Sequence, residues 1–204
     1  MDIVVGGGRY GARAVEYLMK NKREFLVLEP DLNCEVSRKF GIEVIKGQAT
    51  DLIELAKKVN PEWIFPTAPV HVAAEVLKKD FEPWIDVVNS ILCGIPPKIV
   101  VSVGRGSIVV SYNRDGTCLE NCISPDICPV TKIKRPCPMF EMIKFASPEA
   151  FVLVSHQLVP GLGAIRGKDF QEMVKKAYKD RRIIVATACK CHGVITALKK
   201  IKKF

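Results

Sequence analysis

The sequence lacks any long run of apolar residues. None of its segments approaches the roughly 18 apolar residues that a membrane-spanning helix needs, although 48% of the 204 residues are hydrophobic. The first residues lead directly into a glycine-rich turn, a start that does not resemble a secretion signal. We therefore expect a cytoplasmic globular protein with no membrane span.

Aromatic residues and histidines are also scarce. Phe, Trp and Tyr make up 7% of the chain, and there are three histidines. The sequence shows no Walker motif, no Ser-His-Asp signature and no helix–turn–helix pattern, and no basic stripe is interleaved with aromatic residues. These absences argue against nucleic acid as a partner.

Charge is distributed unevenly along the chain, which carries a formal net charge of +9. Residues 1–93 hold 12 Lys and Arg against 14 Asp and Glu, whereas residues 94–204 hold 19 against 8. This excess predicts an anionic ligand or an acidic protein partner for the second half. A lysine-rich solvated face is the alternative.

Short segments rich in Val, Ile and Leu alternate with segments of helical periodicity over residues 1–94. This alternation predicts strands at 2–5, 25–29, 42–45, 63–65 and 85–88, and helices at 10–22, 33–40, 52–59 and 70–79. Such alternation is typical of a parallel sheet with right-handed crossovers. We therefore predict an α/β fold that begins with a Rossmann-like domain over residues 1–94.

Ile95-Pro96-Pro97 interrupts the alternation, and we place a domain boundary there. Residues 95–204 are predicted to form a basic α/β domain with a β-hairpin and a Cys-rich loop, 113–138, inserted in it. The remaining predicted elements are strands at 151–155 and 183–186, a glycine-bearing loop at 160–167, a helix at 169–179 and a final helix after Gly193.

The first eleven residues run from a predicted buried strand into a G-x-G-x-x-G turn. In a dinucleotide site, Gly6 permits the tight turn, Gly8 admits the pyrophosphate and Gly11 lets the helix pack closely. The helix N-terminus also favours phosphate. Glu29 ends the next strand, where an acid accepts hydrogen bonds from ribose hydroxyls and repels a 2′-phosphate. The pattern predicts NAD(H) as ligand; glycines that serve only packing are the alternative.

Three segments together resemble the N-terminal nucleotide-binding domain of potassium-transport regulators, the TrkA-N group. They are Val4–Gly11, Val27–Asp31 and Gly41–Asp51. The resemblance implies a dinucleotide site lined by Gly6, Gly8, Arg9, Tyr10, Gly11 and Glu29, with Gln48, Ala49 and Thr50 near the adenine. Gln48 stands where the family favours Asp. Nothing after residue 95 resembles the regulatory half of those proteins, so a transport role is not implied.

Half of the eight cysteines fall within twenty residues of one another. They are Cys118, Cys122, Cys128 and Cys137. No C-x-x-C pair of the zinc-ribbon kind is present, and four thiolates without a nearby histidine suit an iron–sulfur cluster. Zinc, disulfides and free thiols are the alternatives. A shared metal would order the loop, because metal binding then contributes to folding.

Cys189-x-Cys191-His192 forms a smaller group at a predicted strand–helix junction. A helix N-terminus and Lys190 would acidify these thiols, which would make them nucleophiles or additional metal ligands. Packing of two small side chains is the alternative. Cys34 and Cys93 are interpreted as isolated core or surface cysteines.

These features predict an NAD(H)-binding redox protein, such as an NAD-dependent oxidoreductase. Its cysteine-ligated iron–sulfur or zinc centre would lie within electron-transfer reach of the nicotinamide. The alternative is a non-catalytic nucleotide-sensing module with a structural cysteine cluster and a partner docked on its basic half. A homodimer is compatible with either interpretation.

Overall fold

The computed structural model describes residues 1–202 and shows a mixed α/β fold with two mixed sheets. The strands are β1 (Asp2–Val5), β2 (Phe25–Glu29), β3 (Ile45–Lys46), β4 (Trp63–Pro66), β5 (Phe81–Pro83), β6 (Val100–Gly104), β7 (Ser107–Ser111), β8 (Phe151–Val154), β9 (His156–Val159), β10 (Leu162–Arg166), β11 (Arg182–Ala188) and β12 (His192–Lys200). The helices are α1 (Arg9–Lys20), α2 (Glu35–Phe40), α3 (Leu52–Val59), α4 (Val72–Glu75), α5 (Val88–Cys93), α6 (Met139–Ala146) and α7 (Gly167–Asp180). No helix among the described residues is long and apolar enough to cross a membrane.

The chain divides into two compact units. The first comprises Met1–Lys79 and Ala164–Lys175, and the second comprises Asp80–Gly163 and the chain from Lys176 onward. The sequence places a boundary after Gly94 instead, and residues 203–204 of its second domain lie outside the described part of the chain.

The predicted strand over 85–88 is wrong. These residues form a 3-10 turn, Ile85–Val87, that leads into α5. The preceding strand, β5, pairs with β12 in the sheet of the second unit.

In the sheet of the first unit the strands follow the order β3-β2-β1-β4-β10. The first four are mutually parallel, and β10 runs antiparallel to β4, with Ile165 opposite Ile64. All four residues of β1 are buried, as expected for a central strand of a parallel sheet with both faces covered. The carboxyl ends of β1, β2, β3 and β4 therefore lie along one edge of the sheet.

Helix α1 packs unusually close to the turn that precedes it. A Cβ placed on Gly11 would overlap the carbonyl oxygen of Gly6. The buried face of the helix continues through Ala12, Val15 and Leu18. Only glycine at position 11 allows this approach between the two backbones.

A buried charge lies at the other end of the same sheet. The side chain of Asp2 is fully buried and accepts hydrogen bonds from Arg23 Nε at 2.6 Å and from the Trp63 amide at 3.0 Å. Arg23 also contacts Glu62 at 2.6 Å. The pKa of Arg23 is raised, chiefly by the bond to Asp2 and then by the bond to Glu62. The ion pair with Arg23 and the hydrogen bond from Trp63 offset the cost of burying this carboxyl group.

The second unit is built on a sheet with the order β6-β7-β12-β11-β8. β8 and β11 are parallel, and the other neighbours are antiparallel. Helices α5 and α6 approach closely, because a Cβ on Gly94 would lie 2.8 Å from the Cα of Ala146. One apolar core contains Val88, Ile91, Ile95, Ile99, Ile108, Val110, Met139, Ile143, Ile184, Ala186, Ala188, Ile195 and Ala197.

Of the elements predicted for the second unit, the structure confirms the hairpin and contradicts the final helix. The hairpin around Gly104-Arg105-Gly106 is confirmed: β6 pairs with β7, and Arg105 and Gly106 have φ of 50° and 77°. Residues 113–138 contain no helix or strand, and only an isolated bridge joins Ile127 to Lys134. The final helix predicted after Gly193 is wrong, because β12 lies there.

Two physical reasons explain the errors at the glycine-bearing loop and the last element. The predicted loop at 160–167 consists mainly of β10, since only Pro160 and Gly161, the latter with φ of 73°, form the turn after β9. β12 lies between β7 and β11, and its consecutive residues 195–198 are all buried, so both faces of this strand are covered. Apolar runs of this length have no period that distinguishes a buried strand from a helix.

Smaller differences occur in the first unit. Helix α2 begins after Cys34 rather than Asn33, and it ends as predicted at Gly41, which has φ of 65°. The helix predicted over 70–79 is α4. Strand β3 begins three residues later than predicted.

We expect Gly11→Ala to destabilise the first unit strongly. The added methyl would push α1 away from β1 and break buried packing, an effect that costs about 1–3 kcal/mol or more in a close-packed core. Gly41→Ala is a useful contrast, because its Cβ meets open space and only the positive φ penalises it. The free energy of unfolding from urea titrations measures both. A Gly11→Ala protein as stable as the parent would contradict the close approach.

Candidate functional site

The glycine turn at the end of β1 contains three glycines with different surroundings. Gly6 has φ of 105°, and its Cβ would lie 2.7 Å from the amide nitrogen of Ala68. Gly11 has no room for a Cβ, as described above. Gly8 has neither constraint: it is exposed, its φ is −77°, and no atom lies within 4 Å of its Cβ position. The space beside Gly8 can therefore admit a ligand.

Glu29, the last residue of β2, lies against this turn. Its Oε2 accepts a hydrogen bond from the Gly7 amide at 2.5 Å, and its Oε1 accepts one from the Asp31 amide at 3.1 Å. Cys34 lies here too, because a Cβ on Gly7 would be 2.5 Å from its Sγ. The sequence interpretation of Cys34, an isolated core or surface cysteine, leaves its neighbours open, and in the structure this buried thiol packs on the glycine turn.

Thr67 holds the turn from the opposite side, and no sequence pattern pointed to this residue. Its Oγ1 donates to the carbonyl oxygens of Val5 and Gly6, at 3.0 and 2.8 Å. The Ala68 amide donates to Val5 as well, at 2.8 Å. The chain after β4 thus fixes the backbone on which Gly8 lies.

The remaining residues of the predicted dinucleotide site follow strands of the same sheet. Arg9 and Tyr10 are exposed in the first turn of α1, which contains no acidic side chain. Gln48, Ala49 and Thr50 follow β3 and begin a 3-10 turn.

Asp51 closes this 3-10 turn. The Gln48 amide donates to Asp51 Oδ2 at 2.8 Å, and this bond, together with Lys79, holds the pKa of Asp51 below its usual value. The Asp51 carboxylate is therefore engaged in capping.

In the second unit, residues 113–138 contact the turn between β11 and β12. This turn contains Cys189 and Cys191, and His192 is the first residue of β12. The sequence prediction placed them at the start of a helix, which is wrong. No helix begins at these thiols, so the predicted effect of a helix N-terminus on them does not apply.

Cys118 and His192 form the closest thiol–imidazole pair. Cys118 Sγ lies 3.2 Å from His192 Nε2, and His192 Nδ1 lies 2.9 Å from Ser111 Oγ. The backbone amide of Asn113 donates to Ser111 Oγ at 2.9 Å, and its side-chain Nδ2 donates to Cys118 Sγ at 3.3 Å. Burial lowers the pKa of His192. An exposed thiol next to a positioned imidazole is the arrangement found in nucleophilic cysteine centres.

Arg135 joins the Cys-rich segment to the same turn. It donates to Cys191 Sγ at 2.8 Å, to the Ser124 carbonyl at 3.1 Å and to Asp126 Oδ1 at 3.2 Å. Burial raises the pKa of Cys191, although Arg135 acts in the opposite direction. Its charge and hydrogen bonds make Arg135 the main polar link here, and the sequence analysis did not single it out.

The other cysteines of the segment have separate partners. Cys137 Sγ lies 3.7 Å from the hydroxyl of Tyr112, whose pKa is raised first by burial and then by this contact. The Ser124 amide donates to Cys122 Sγ at 3.3 Å. Burial alone would raise the pKa of Cys128, but hydrogen bonds from Thr131 and Val130 and the charge of Arg135 together lower it.

The thiols as they lie do not form a metal-binding group. Within residues 1–202, no group of three or more His, Cys, Asp or Glu side chains is placed to hold a metal ion. All eight cysteines are free thiols, so the disulfide alternative is not found. Ligation of iron–sulfur or zinc by Cys118, Cys122, Cys128 and Cys137 stays a prediction.

Two family models match the chain. One, described as "Uncharacterized protein, N-terminal domain", matches residues 1–72, and the other, "Uncharacterized protein, C-terminal domain", matches residues 71–201. The chain belongs to the family that these two domains define. A protein of Archaeoglobus fulgidus, named "Uncharacterized protein", is 50% identical over 214 residues, which cover 98% of this chain and 100% of that protein. No solved structure matches.

We expect Arg135→Leu to loosen residues 113–138. The change removes the bonds to Cys191, Ser124 and Asp126 and leaves the segment without its main link to the β11–β12 turn. Limited proteolysis should cleave this segment at least about tenfold faster, since cleavage follows local opening. Lys134→Leu is the matched control, because it removes a neighbouring exposed cation. Equal cleavage of the two variants would contradict the role of Arg135.

Proposed function

We propose that the protein binds NAD(H) on a Rossmann-type first unit. The observation that carries this proposal is the open space at Gly8. The fold requires glycine at positions 6 and 11, but nothing in the described structure requires it at position 8. A bound pyrophosphate would account for that glycine, because a side chain there would occupy the position of the phosphates.

Strand topology supports the same site. The parallel order β3-β2-β1-β4 is that of the first four strands of a Rossmann sheet, in which nucleotides bind at the carboxyl ends of the strands. The glycine turn lies at that edge. Helix α1 begins immediately after Gly8 with its positive end towards the turn, and a phosphate there would meet backbone amides and no acidic side chain of that first turn.

Glu29 supports the choice of NAD(H) over NADP(H). Its carboxylate already lies against Gly7, where the ribose next to a turn-bound pyrophosphate would be placed. A carboxylate has about four acceptor positions, so ribose hydroxyls can share it with the Gly7 and Asp31 amides. A 2′-phosphate would instead meet like charge.

We propose a redox role for the second unit, centred on its thiols. Cys118 combines exposure with the contact to His192, which makes it the thiol best placed to react with a partner molecule. The placement of the thiols does not fit a metal, so no step is assigned to one. A nucleotide-sensing module with structural cysteines is the alternative, and an NADH-linked activity that depends on Cys118 separates it from the redox protein.

Metal analysis of anaerobically purified protein tests the iron–sulfur and zinc predictions. Bound iron with broad visible absorption would support a cluster. Metal-free, colourless protein that retains NADH-linked activity would support a thiol centre.

We expect Gly8→Val to abolish NADH binding while leaving the fold intact. The valine side chain would point into space that the protein leaves open, so only the ligand should clash. We expect a loss of affinity of at least about 100-fold by calorimetry, equivalent to about 2.7 kcal/mol. Gly104→Val is the matched control, because Gly104 also faces open space but lies in the other unit.

Two results would contradict this assignment. Unchanged NADH affinity in Gly8→Val would place the nucleotide elsewhere. Tighter binding of NADPH than NADH by the parent protein would contradict the role of Glu29, and in that case Glu29→Ala should not alter the preference.

A further inference from the structure

The second unit contains a cavity of about 770 Å³ between the Cys-rich segment and the start of the sheet. We propose that it binds a small organic anion with an apolar body and a carboxylate-type head group. The volume suits such a molecule, since small-molecule sites commonly measure about 300–1,000 Å³. All of the lining residues belong to the second unit, and this proposal is independent of NAD(H) binding.

The apolar part of the cavity would accept the body of the ligand. Its wall includes Ile99 and Met142 from the folded core region and Val130 and Ile133 from the Cys-rich segment. Val130 and Ile133 are exposed, with Ile133 at 66%. A ligand seated here would remove these side chains from water, which is favourable.

The charged part of the cavity predicts the sign of the ligand. The cavity is lined by four cationic side chains and by one acidic side chain, that of Asp115. Oδ1 of Asp115 lies 3.6 Å from Nε of Arg114. The four cations are Lys98, Arg114, Lys134 and Arg135. Cations grouped next to apolar walls attract an anion more strongly than they would in open water.

One buried polar atom in the wall lacks a partner. The oxygen Oδ1 of Asn113, a residue only 5% exposed, has no hydrogen-bond partner among the described residues. It lies beside Gly116, where a Cβ would be only 2.5 Å away. Buried acceptors are almost always satisfied in folded proteins. A carboxylate has no hydrogen to donate, so a water molecule held with the ligand would complete this site.

The wall of the cavity also contacts the thiols. Asn113 donates to Cys118, Arg135 donates to Cys191, and Tyr112 contacts Cys137. Only one side chain would therefore separate an anion in the cavity from each of three cysteines, including Cys118, which is paired with His192. This proximity assigns the cavity as the substrate pocket of the thiol centre.

Three matched ligands test the proposal by calorimetry on the full chain. Octanoate has both the apolar body and the charge, 1-octanol has the body alone, and acetate has the charge alone. We expect octanoate to bind at least about tenfold more tightly than either. Octanoate that binds no better than 1-octanol would overturn the anionic character of the site, and no measurable octanoate binding would overturn the site itself.

Variants locate the binding. The double change Lys98→Gln/Arg114→Gln should weaken octanoate binding about tenfold and leave 1-octanol unaffected. Lys144→Gln/Lys179→Gln removes the same charge from exposed positions outside the cavity and should change nothing. Ile133→Trp, at an exposed position, should fill the cavity and weaken octanoate binding without unfolding the protein. Equal losses in the two double variants would contradict the proposal.

Discussion

The close approach of α1 to the carbonyl oxygen of Gly6 is the constraint on which the first unit depends. It requires glycine at position 11, brings the start of the helix against the end of β1, and leaves the turn between them tight. Thr67 then fixes the same turn from β4. Three adjacent elements thus hold a backbone whose only unconstrained glycine, Gly8, faces open space. A rigid turn of this kind binds a ligand at low cost in conformational entropy.

The second unit is organised by contacts between distant parts of the chain. Cys118 and His192 are 74 residues apart, and Arg135 and Cys191 are 56 apart. Residues 113–138 have almost no secondary structure, so side-chain bonds to the β11–β12 turn and to Gln157 of β9 supply much of their order. The thiols consequently lie in a partly polar wall next to a cavity. In our account this wall links binding of an organic anion to thiol chemistry.

Local patterns predicted the elements nearest the glycine turn well. β1 and β2 have the predicted bounds, and β4 is one residue longer, because each is a short apolar run that ends in a turn residue or an acid. The same reasoning failed for β12, where an apolar segment with Val194, Ile195 and Thr196 is paired on both sides. The strand conformation of β12 depends on its pairing with β7 and β11, and the pairing with β7 joins segments that are far apart in sequence.

In the candidate sites, too, local patterns predicted some residues and missed those that act through distant contacts. Gly6, Gly8, Gly11 and Glu29 could be predicted because their roles depend on a local order of strand, turn and helix. Thr67, Arg135 and the Cys118–His192 pair could not, since each acts through a contact across the fold. The spacing of cysteines predicted a shared ligand, whereas folding gives each thiol a different neighbour. Side-chain partners of this kind are set by tertiary packing, which a one-dimensional pattern does not contain.

Amide chemical-shift mapping during a titration of ¹⁵N-labelled protein with NADH tests the central claim most directly. The account predicts that the largest shifts fall on Gly7, Gly8 and Arg9, with smaller ones at Asp31 and in the turn after β3. No shifts at millimolar NADH, or shifts confined to residues 113–138, would contradict a dinucleotide site on the glycine turn.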